Sequence, residues 1–368
     1  MKISVCHVIT TIDSGGAETQ LLALASAQKK ANMSVEVIFL KDLPTLRNRF
    51  IDSGIQILNQ YSGLTFIRQI LKLAKRRSDT NTVFHAHLPR AEILCAIALK
   101  RNSFVITRHN AERFFPGAPA IVSQLLSKFV QRRAFTTILI SQAVKDYVID
   151  NGELSKRLTN RIIYYGVSAT LHKLPTKMSF SPSKMVRLGC ISRLVPQKNL
   201  PLLLQAARNL TDMNVFDFSL KVLGNGPLEA SLNKLCKTLE IQEFVSFDGK
   251  LEDVSLFYNE LDLFVLTSNY EGFGLVLLEA MQFGVPIVAR NISAIPEVLG
   301  LEHPGLINSD DPQEFASVIH SLIVDSRLRQ SCLEHQKKQL SKFSLDKTVR
   351  AHTEVYRNLI QFSKTILK

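Results

Sequence analysis

The sequence predicts an α/β protein made of two successive doubly wound domains, each with a parallel sheet covered by helices on both faces. Short runs of apolar and β-branched residues alternate with longer segments that carry apolar residues at helical spacing, which is the pattern of consecutive strand–helix–strand units. The alternation stops once near the middle of the chain and then begins again. At 368 residues, the chain is long enough for two domains of about 150 to 200 residues, each with its own core.

The first half of the chain contains six predicted strands and five predicted helices. The strands are 3–10, 34–40, 54–58, 82–87, 104–108 and 136–140. The helices are 18–31, 64–78, 91–100, 120–133 and 142–149. A segment rich in Ser, Thr, Lys and Pro, without a sustained period, then predicts a linker at 169–183.

The second half repeats the same alternation and ends in two long predicted helices. Its strands are 185–191, 218–223, 244–247, 263–266, 286–289 and 306–308. Its helices are 200–210, 228–239, 275–283 and 312–323, followed by 327–343 and 345–367. We therefore expect a first domain at 1–168, a second at 184–343, and a terminal helix at 344–368 that packs back on the first domain.

The composition excludes several classes of protein. Hydrophobic residues at 46% and charged residues at 21% are globular values. No apolar run approaches the roughly 18 residues of a membrane span, and Thr10 and Asp13 come too early for a signal peptide. The five cysteines are widely spaced without a CxxC pair, which predicts reduced thiols and no zinc site. We expect a cytoplasmic protein.

The positive charge is concentrated in the first half. Residues 1–168 hold 23 Lys and Arg against 11 Asp and Glu, whereas the rest of the chain holds 22 against 21. An anionic partner of the first half would explain this, such as a phospholipid surface, a lipid diphosphate or an acidic saccharide. Charge that serves solubility alone is the alternative. Nucleic acid is not an expected partner, because no aromatic-rich basic face or known binding motif accompanies the charge.

The predicted helix 64–78 is one possible contact with an anionic membrane. Its apolar stripe consists of Ile67, Ile70, Leu71 and Ala74. Its basic stripe consists of Arg68, Lys72, Lys75 and Arg76. Such a helix can lie peripherally on the inner face of the membrane, and a surface helix packed on the sheet explains the same pattern.

The strongest site signal lies at 269–281, where two glycines and two carboxylates surround a predicted helix start. Helix-start amides and the positive end of the helix dipole suit a diphosphate, and glycines let the backbone approach it. Glu271 can accept hydrogen bonds from sugar hydroxyls, and Glu279 from the two ribose hydroxyls. A charged helix cap and a solvated glutamate are the alternative. The candidate donor-binding residues at the helix start are Phe273, Gly274 and Leu275.

A second signal is a pair of cations, Arg193 and Lys198, in the loop after the strand 185–191. Arg193 offers a bidentate fork and Lys198 a point charge, so together they can neutralise a diphosphate as it leaves. The sequence contains no Asp-x-Asp, a usual metal-holding pattern. We therefore expect no metal. The alternative is that two exposed cations occur in one loop by chance.

Two glycine-rich turns are further candidates. Gly15 and Gly16 join the first strand to the first helix and allow a ligand close to the main chain. Gly224 and Gly226 begin like a dinucleotide fingerprint, but Pro227 stiffens the turn and the sixth position is a glutamate. That departure argues against NAD.

Histidines stand at the ends of two predicted strands. His85 and His87 end one strand, on the same face, and His109 follows the next. Carboxyl ends of parallel strands point to the ligand crevice of an open sheet, so His87 and His109 are candidate site residues. A packed, hydrogen-bonded histidine is the alternative.

Together these segments resemble the retaining GT-B glycosyltransferases of the family 4-like group, "glycosyl transferases group 1". Glu271 and Glu279 match the family's E-x7-E motif, Arg193 and Lys198 its leaving-group pair, and 15–18 its Gly-Gly-Ala-Glu loop. The resemblance implies two Rossmann-like domains that face each other across a cleft and a UDP- or GDP-sugar donor held by the second domain. It also implies metal-independent transfer with retention, to a saccharide or lipid-linked acceptor in cell-surface polysaccharide or glycolipid synthesis.

The resemblance also assigns roles to individual residues. His109 and Glu271 would position the sugar, with Arg193 and Lys198 stabilising the leaving group, and His87 and Arg90 would lie on the acceptor side. The donor-binding positions would include Gly15, Gly16, Gly224 and Gly226, with the nucleobase between the last pair and 247–250.

The chain departs from the family where Tyr165-Gly166-Val167-Ser168 replaces Asn-Gly-Val-Asp. This puts the hinge geometry in doubt more than the chemistry. Two other functions stay open: a GT-B-fold sugar-nucleotide epimerase or hydrolase, and a nucleotide-sugar-binding protein without transfer activity. The first would turn over donor without an acceptor. The intact Glu271, Glu279, Arg193 and Lys198 argue against the second.

Overall fold

A computed structural model describes residues 3–13, 15–77, 81–115, 117–154, 159–168, 185–251 and 253–366. These residues form two compact units. The first contains the described residues up to Ser168 together with those from Phe343 onward, and the second contains those between them, up to Lys342. The predicted linker 169–183 lies outside the described residues, as do Ser14, Ser78 and Leu367.

The first unit contains a seven-stranded parallel sheet in the described part of the chain. The strands are β1 (Ser4–Ile9), β2 (Ser34–Phe39), β3 (Gln56–Ile57), β4 (Thr82–His87), β5 (Phe104–Arg108), β6 (Thr136–Leu139) and β7 (Asn160–Ile162). Their order is β3-β2-β1-β4-β5-β6-β7, and every neighbouring pair is parallel. This order reverses direction at β1, as in a Rossmann-like doubly wound sheet.

Helices cover both faces of this sheet. They are α1 (Gly16–Lys30), α2 (Arg47–Asp52), α3 (Phe66–Ala74), α4 (Pro89–Ala98), α5 (Ala120–Arg133) and α6 (Gln142–Asp150). One apolar cluster joins the sheet to α1, α2 and the end of the chain, and a second joins its other face to α3, α4 and α5. The core therefore consists of two apolar layers separated by the sheet.

The second unit contains a six-stranded parallel sheet among its described residues. The strands are β8 (Val186–Ile191), β9 (Phe218–Leu223), β10 (Val245–Phe247), β11 (Leu263–Leu266), β12 (Ile287–Arg290) and β13 (Leu306–Ile307), in the order β10-β9-β8-β11-β12-β13. The helices are α7 (Leu200–Met213), α8 (Glu229–Thr238), α9 (Ser255–Glu260), α10 (Leu275–Gln282), α11 (Ile295–Leu299), α12 (Pro312–Val324) and α13 (Ser326–Leu340). The predicted fold class, two Rossmann-like α/β domains, is confirmed.

The last helix, α14 (Leu345–Ile366), belongs to the first unit. It contacts α1, and its buried Val355, Tyr356 and Leu359 join the apolar cluster on that face of the sheet. The chain enters α14 beside Val167, whose N–H donates to the carbonyl of Phe343 at 3.0 Å. A Cβ on Gly166 would lie 2.7 Å from the backbone of Leu345, so only glycine fits there.

Three short α-helices and one short strand in the described residues are not predicted by the sequence pattern. They are α2, α9, α11 and β7. Each helix has five or six residues, fewer than two turns, so an apolar stripe has no room to repeat. The edge strand β7 pairs with one neighbour in the sheet order and is largely polar in sequence.

The apolar stripe predicted for the helix at 64–78 is wrong in part. Ile70 and Ala74 pack against the core, but the buried positions of α3 are Gln69 and Leu73. Gln69 is buried because its side-chain amide donates to the carbonyls of Leu40 and Tyr61, at 2.7 and 2.9 Å. Ile67 and Leu71 are exposed as a result.

Candidate active site

In the second unit, two loops lie side by side because β8 and β11 are neighbouring parallel strands. One loop contains Arg193 and Lys198, and the other contains Glu271. The backbone N–H of Asn269 donates to the carbonyl of Gln197 at 2.8 Å, and the Gln197 amide donates to the Tyr270 carbonyl at 3.0 Å. These bonds fix the predicted cations next to the first predicted carboxylate.

Lys198 and Glu271 form a nearly buried ion pair. The Lys198 Nζ lies 2.6 Å from Glu271 Oε1, and the two side chains are only 13% and 8% exposed. Ser268 Oγ donates to the same carboxylate oxygen at 2.7 Å, and Ser293 Oγ donates to the Glu271 carbonyl at 2.7 Å. Both charges are thus held in place, since breaking a buried pair leaves an uncompensated charge at a cost of about 3–5 kcal/mol.

Arg193, the other predicted cation, is exposed on the same loop. Its guanidinium donates to Gln197 Oε1 at 3.0 Å. Because a guanidinium carries five N–H donors, this single bond leaves it able to bind an incoming anion in bidentate fashion.

The start of α10 has the geometry of an anion-binding helix terminus. Gly274 precedes the helix with φ at +89°, a left-handed conformation that favours glycine. Among the described residues no side chain caps this end. Phe273 is buried and anchors the loop, while Leu275 begins the helix. The first amides of α10 are therefore available to a ligand.

Glu279 lies about one turn into α10 and is held by a residue that the sequence motifs do not include. The Tyr258 hydroxyl donates to Glu279 Oε2 at 2.9 Å and also reaches the Val276 carbonyl at 3.2 Å. Burial raises the pKa of Glu279 to about 7. Tyr258 lies on α9, one of the helices too short to predict, and stacks on Phe283.

The turn at Gly224 and Gly226 packs tightly on the loop that carries Arg193. A Cβ on Gly224 would lie 1.9 Å from the Ser192 carbonyl oxygen, and one on Gly226 would lie 2.3 Å from that of Leu194. Backbone packing therefore requires both glycines, independently of any ligand. The Gly224 N–H also donates to the Gly249 carbonyl at 2.6 Å, which brings the turn to the loop at 247–250.

In the first unit, the parallel pairing of β1, β4 and β5 aligns a column of buried histidines. His7 lies opposite His85, His87 lies opposite Thr107, and His109 follows β5. The rings of His87 and His109 are joined by a 3.0 Å hydrogen bond, and His109 Nδ1 is also bonded to the Tyr165 hydroxyl. The structure thus brings the two predicted histidines together.

Burial keeps these histidines neutral. It lowers the pKa of His7 to about 4 and the pKa of His109 to about 3. It also lowers the pKa of both His85 and His87 well below the ordinary value, and neighbouring histidines act in the same direction. His109 is therefore a neutral imidazole at physiological pH, with both ring nitrogens hydrogen-bonded.

The glycine loop after β1 lies at the same edge of the sheet. Gly15 precedes α1 in an extended conformation, and Gly16 is the exposed first residue of the helix. Glu18, in the first turn, accepts a 2.8 Å hydrogen bond from Thr11 Oγ1. A Cβ on Gly15 would lie 2.3 Å from a Glu18 carboxylate oxygen, so glycine keeps this carboxylate close to the backbone.

Arg90, the other residue predicted for the acceptor side, makes different contacts. Its guanidinium lies over the Phe66 ring, 4.8 Å from the centroid, and approaches Gln69 Oε1 at 3.4 Å. Within the described residues it is thus associated with α3 and not with the histidine column.

Family models match both halves of the chain. The model described as "Glycosyltransferase Family 4" matches residues 14–170, and "Glycosyl transferases group 1" matches residues 176–339. The chain therefore belongs to the group 1, family 4-like glycosyltransferases.

Relatives and solved structures agree with this membership. The chain is 25% identical over 325 residues to N-acetyl-alpha-D-glucosaminyl L-malate synthase of Bacillus anthracis, covering 83% of this chain and 84% of the relative. It is 27% identical over 251 residues to the lipopolysaccharide core biosynthesis mannosyltransferase LpsB of Rhizobium meliloti, covering 64% and 69%. Anabaena Alr3699/HepE in complex with UDP-glucose has a TM-score of 0.81 at 19% identity, covering 97% of this chain and all of that one. The fold is that of GT-B glycosyltransferases.

None of the helices in the described part of the chain combines the length and the apolar character needed to cross a bilayer.

The neutral histidines predict that the first unit loses stability in mild acid. The unfolded chain binds protons at these groups below about pH 6.5, whereas the folded unit does not, so stability is complete above that pH and falls below it. Five histidines act in this direction: His7, His85, His87, His109 and His352. Glu92 is a single group with the opposite effect on stability, because burial raises its pKa to about 8.

We expect urea unfolding of the first unit to show a free energy that decreases as the pH falls from about 6.5 to 5, with a slope that approaches about 1.4 kcal/mol per pH unit for each histidine that stays neutral and that Glu92 partly offsets. The variant His352→Gln should reduce proton uptake on unfolding by about one. A free energy that is flat or increases over this range would contradict the assignment of neutral histidines.

Proposed function

We propose that the protein is a retaining, metal-independent glycosyltransferase that transfers a sugar from a UDP- or GDP-sugar to a saccharide or lipid-linked acceptor in cell-surface polysaccharide or glycolipid synthesis. The observation that carries the proposal is the Lys198–Glu271 pair, 2.6 Å apart, in two adjacent loops, of which the Glu271 loop leads into the uncapped start of α10. It combines a cation for a diphosphate with a carboxylate for sugar hydroxyls.

In the proposed reaction, the second unit stabilises the leaving group. As the bond between the anomeric carbon and the diphosphate breaks, its electron pair goes to the diphosphate. Lys198, Arg193 and the amides after Gly274 stabilise the negative charge that develops there. These groups do the work that a divalent cation would otherwise do, which supports metal independence.

Retention follows from attack on the face that the leaving group vacates. The acceptor oxygen bonds to the anomeric carbon on that face, and its proton goes to an oxygen of the leaving phosphate. His109 is unsuited to take this proton, because burial lowers its pKa to about 3 and both ring nitrogens are hydrogen-bonded. Its role, like that of Glu271, is to position the sugar.

The nucleoside end of the donor is assigned to Glu279 and the turns beside it. A carboxylate accepts hydrogen bonds from two adjacent ribose hydroxyls, and Tyr258 holds the Glu279 carboxyl from one side. The nucleobase would lie between the Gly224–Gly226 turn and 247–250, which the structure brings together. The UDP-glucose complex of HepE supports a UDP-sugar donor, and the mannosyltransferase LpsB supports mannose as an alternative transferred sugar.

The first unit would supply the acceptor side, with the Gly15–Gly16 loop, His87, His109 and Arg90 as its candidate residues. A basic first half suits a phosphorylated or acidic acceptor. Turnover of donor with no acceptor would instead indicate a hydrolase or epimerase.

The first proposed test is the binding of donor to the second unit. We expect thermal shift and ligand-observed NMR to show binding of either UDP-glucose or GDP-mannose, unchanged by EDTA. At a pH above the value of about 7 to which burial raises the pKa of Glu279, Glu279→Gln should weaken that binding about tenfold or more, because a hydrogen bond to a charged group contributes about 1.5–3 kcal/mol.

The matched control for this variant is Glu260→Gln, which removes the charge of an exposed acid on α9. It should bind donor like the wild type. Binding that disappears with EDTA, or that Glu279→Gln leaves intact, would contradict the assignment.

A peripheral contact with an anionic membrane is also proposed, on the face formed by α3 and α5. Both helices pack on the same side of the first sheet, and both expose large apolar residues. Ile121 and Leu125 on α5 are 70% and 63% exposed, and Ile67 and Leu71 on α3 are also exposed. Exposed bases on or next to these helices are Arg68, Lys75 and Arg132. Apolar side chains among bases suit the surface of an anionic bilayer.

We expect the protein to sediment with vesicles that contain anionic phospholipid, but not with purely zwitterionic vesicles, and to be released by salt. Ile121→Ser combined with Leu125→Ser should lower the partition coefficient at least about tenfold, because each inserted side chain contributes roughly 1.5–3 kcal/mol. Leu256→Ser, at an exposed position on α9 of the second unit, is the control. Equal loss in both variants would contradict this face.

A further inference from the structure

The β12 loop, residues 290–294 at the end of β12 and before α11, is a third loop at the edge of the second sheet where the site lies. Strands β8, β11 and β12 are consecutive in that sheet and all parallel. The Glu271 loop therefore lies between the Lys198 loop on one side and the β12 loop on the other. Because Gly272 and Gly274 follow Glu271, the backbone of this middle loop is permissive and depends on its neighbours for support.

Arg290, the last residue of β12, supports the neighbouring loop through Asn269. Its Nη1 donates to Asn269 Oδ1 at 2.7 Å and approaches the Ser268 carbonyl at 3.4 Å. Its other terminal nitrogen forms an ion pair with Asp310. Unlike Arg193, which is exposed, the Arg290 side chain is only 11% exposed and is bonded through both terminal nitrogens. Its contacts therefore indicate a supporting role.

Arg290 also determines which way the Asn269 amide faces. A guanidinium only donates, so the atom that faces Arg290 is the amide oxygen. The Asn269 Nδ2 then donates to the carbonyl of Pro196, on the Lys198 loop, at 3.2 Å. Asn269 thus joins the β12 loop to the Lys198 loop across the residues that precede Glu271.

Ser293 supports the Glu271 loop directly, and it does so in an unfavourable backbone conformation. Its Oγ donates to the Glu271 carbonyl at 2.7 Å. Its φ is +55°, in the left-handed region, where a residue with a Cβ costs free energy and glycine is favoured. Such a cost persists where the surrounding structure requires one geometry, and positions of this kind cluster at ligand sites.

Two observations argue against a purely structural role for these residues. A glycine at 293 would satisfy the turn without the conformational cost, so the turn itself does not require the serine hydroxyl. Asp310, the charge partner of Arg290, is 64% exposed, so this ion pair by itself adds little to the stability of the fold. Arg290 and Ser293 have one target in common, the loop that carries Glu271.

We propose that Arg290 and Ser293 are positioning residues that hold Glu271 in place for the sugar of the donor. Ser293 fixes the main chain of Glu271, and Arg290 acts through Asn269 on the residues that precede it. The role rests on the proposed function, in which Glu271 accepts hydrogen bonds from sugar hydroxyls. Loss of the Ser293 hydroxyl should therefore weaken the binding of a sugar nucleotide and leave the binding of the nucleoside diphosphate unchanged.

Two substitutions of Ser293 separate the effect of its hydroxyl from that of its backbone. Ser293→Gly and Ser293→Ala both remove the hydroxyl, but only glycine relieves the left-handed conformation. In NMR titrations of the full chain, we expect both variants to raise the Kd of UDP-glucose or GDP-mannose, whichever the wild type binds, about three- to tenfold. The Kd of the corresponding UDP or GDP should not change.

The stability of the two variants should differ although their affinities agree. We expect the urea midpoint of the second unit, measured on the full chain, to fall in Ser293→Ala. In Ser293→Gly it should stay close to that of the wild type, because relief of the left-handed conformation offsets the lost hydrogen bond. Affinity then follows the hydroxyl and stability follows the backbone, whereas a merely structural residue would lose both together.

Asn214→Gly is the matched control for Ser293→Gly. Asn214 also has a left-handed backbone, with φ at +48°, and it lies at the exposed C-terminal end of α7. This variant should bind the sugar nucleotide and the nucleoside diphosphate like the wild type.

Arg290→Lys supplies an independent variant. Lysine keeps the positive charge but lacks the fork that contacts Asn269 and Asp310 together. We expect the Kd of the sugar nucleotide to rise by a similar factor. Its control is Arg187→Lys, which alters an ion-paired arginine near the start of β8, at the opposite edge of the same sheet, and should bind like the wild type.

Wild-type affinity for the sugar nucleotide in the Ser293 variants or in Arg290→Lys would overturn the positioning role of the residue concerned. An equal loss of affinity for the sugar nucleotide and the nucleoside diphosphate in the Ser293 variants would also overturn it, because such a loss does not act through Glu271. A wild type that binds neither UDP-glucose nor GDP-mannose would overturn the proposed function, and this role with it. The wild-type titration thus distinguishes the two failures.

Discussion

The parallel alignment of both sheets is the constraint on which the rest of the structure depends. Every strand pair in the described residues is parallel, so the loops that follow the strands meet at one edge of each sheet. In the second unit this places the β8 loop, with Lys198, against the β11 loop, with Glu271. In the first unit it pairs His7 with His85 in register and places His87 two residues further along β4. Residues far apart in sequence become neighbours through backbone hydrogen bonding alone.

Burial then decides what these polar groups can do, because a buried polar group needs a partner. Lys198 and Glu271 satisfy each other, Tyr258 satisfies Glu279, and the histidines satisfy one another as neutral rings. Glu92 is one of a few exceptions among the described residues: neither of its carboxylate oxygens has a hydrogen-bond partner, and burial raises its pKa to about 8, so it is mostly neutral at pH 7 in the fold. The sites of both units therefore exist as preorganised networks before any ligand binds.

Much of the fold was predictable from the sequence, and less of the site. The strands at 82–87, 104–108, 218–223 and 263–266 match the predicted bounds, because buried parallel strands are continuous apolar runs between breakers. The sequence identifies Lys198, Glu271 and Glu279 as candidate site residues. Their partners cannot be predicted from it, because the partners depend on the order of the strands in the sheet. Tyr258 was missed because its helix is shorter than two turns. His7 was missed because a buried polar residue in an apolar pattern resembles any other core position until its partners are known.

In the proposed mechanism, Lys198 stabilises the leaving diphosphate together with Arg193 and the amides of α10, without a metal. The most direct measurement is the transfer rate from whichever of UDP-glucose and GDP-mannose binds, with EDTA and with Mg²⁺. It should be made on wild type, Lys198→Ala and the exposed-lysine control Lys221→Ala. We predict equal wild-type rates in EDTA and Mg²⁺, a kcat about 10²–10³-fold lower in Lys198→Ala, and no change in Lys221→Ala. A rate that EDTA abolishes and Mg²⁺ restores, with Lys198→Ala close to wild type, would contradict the account.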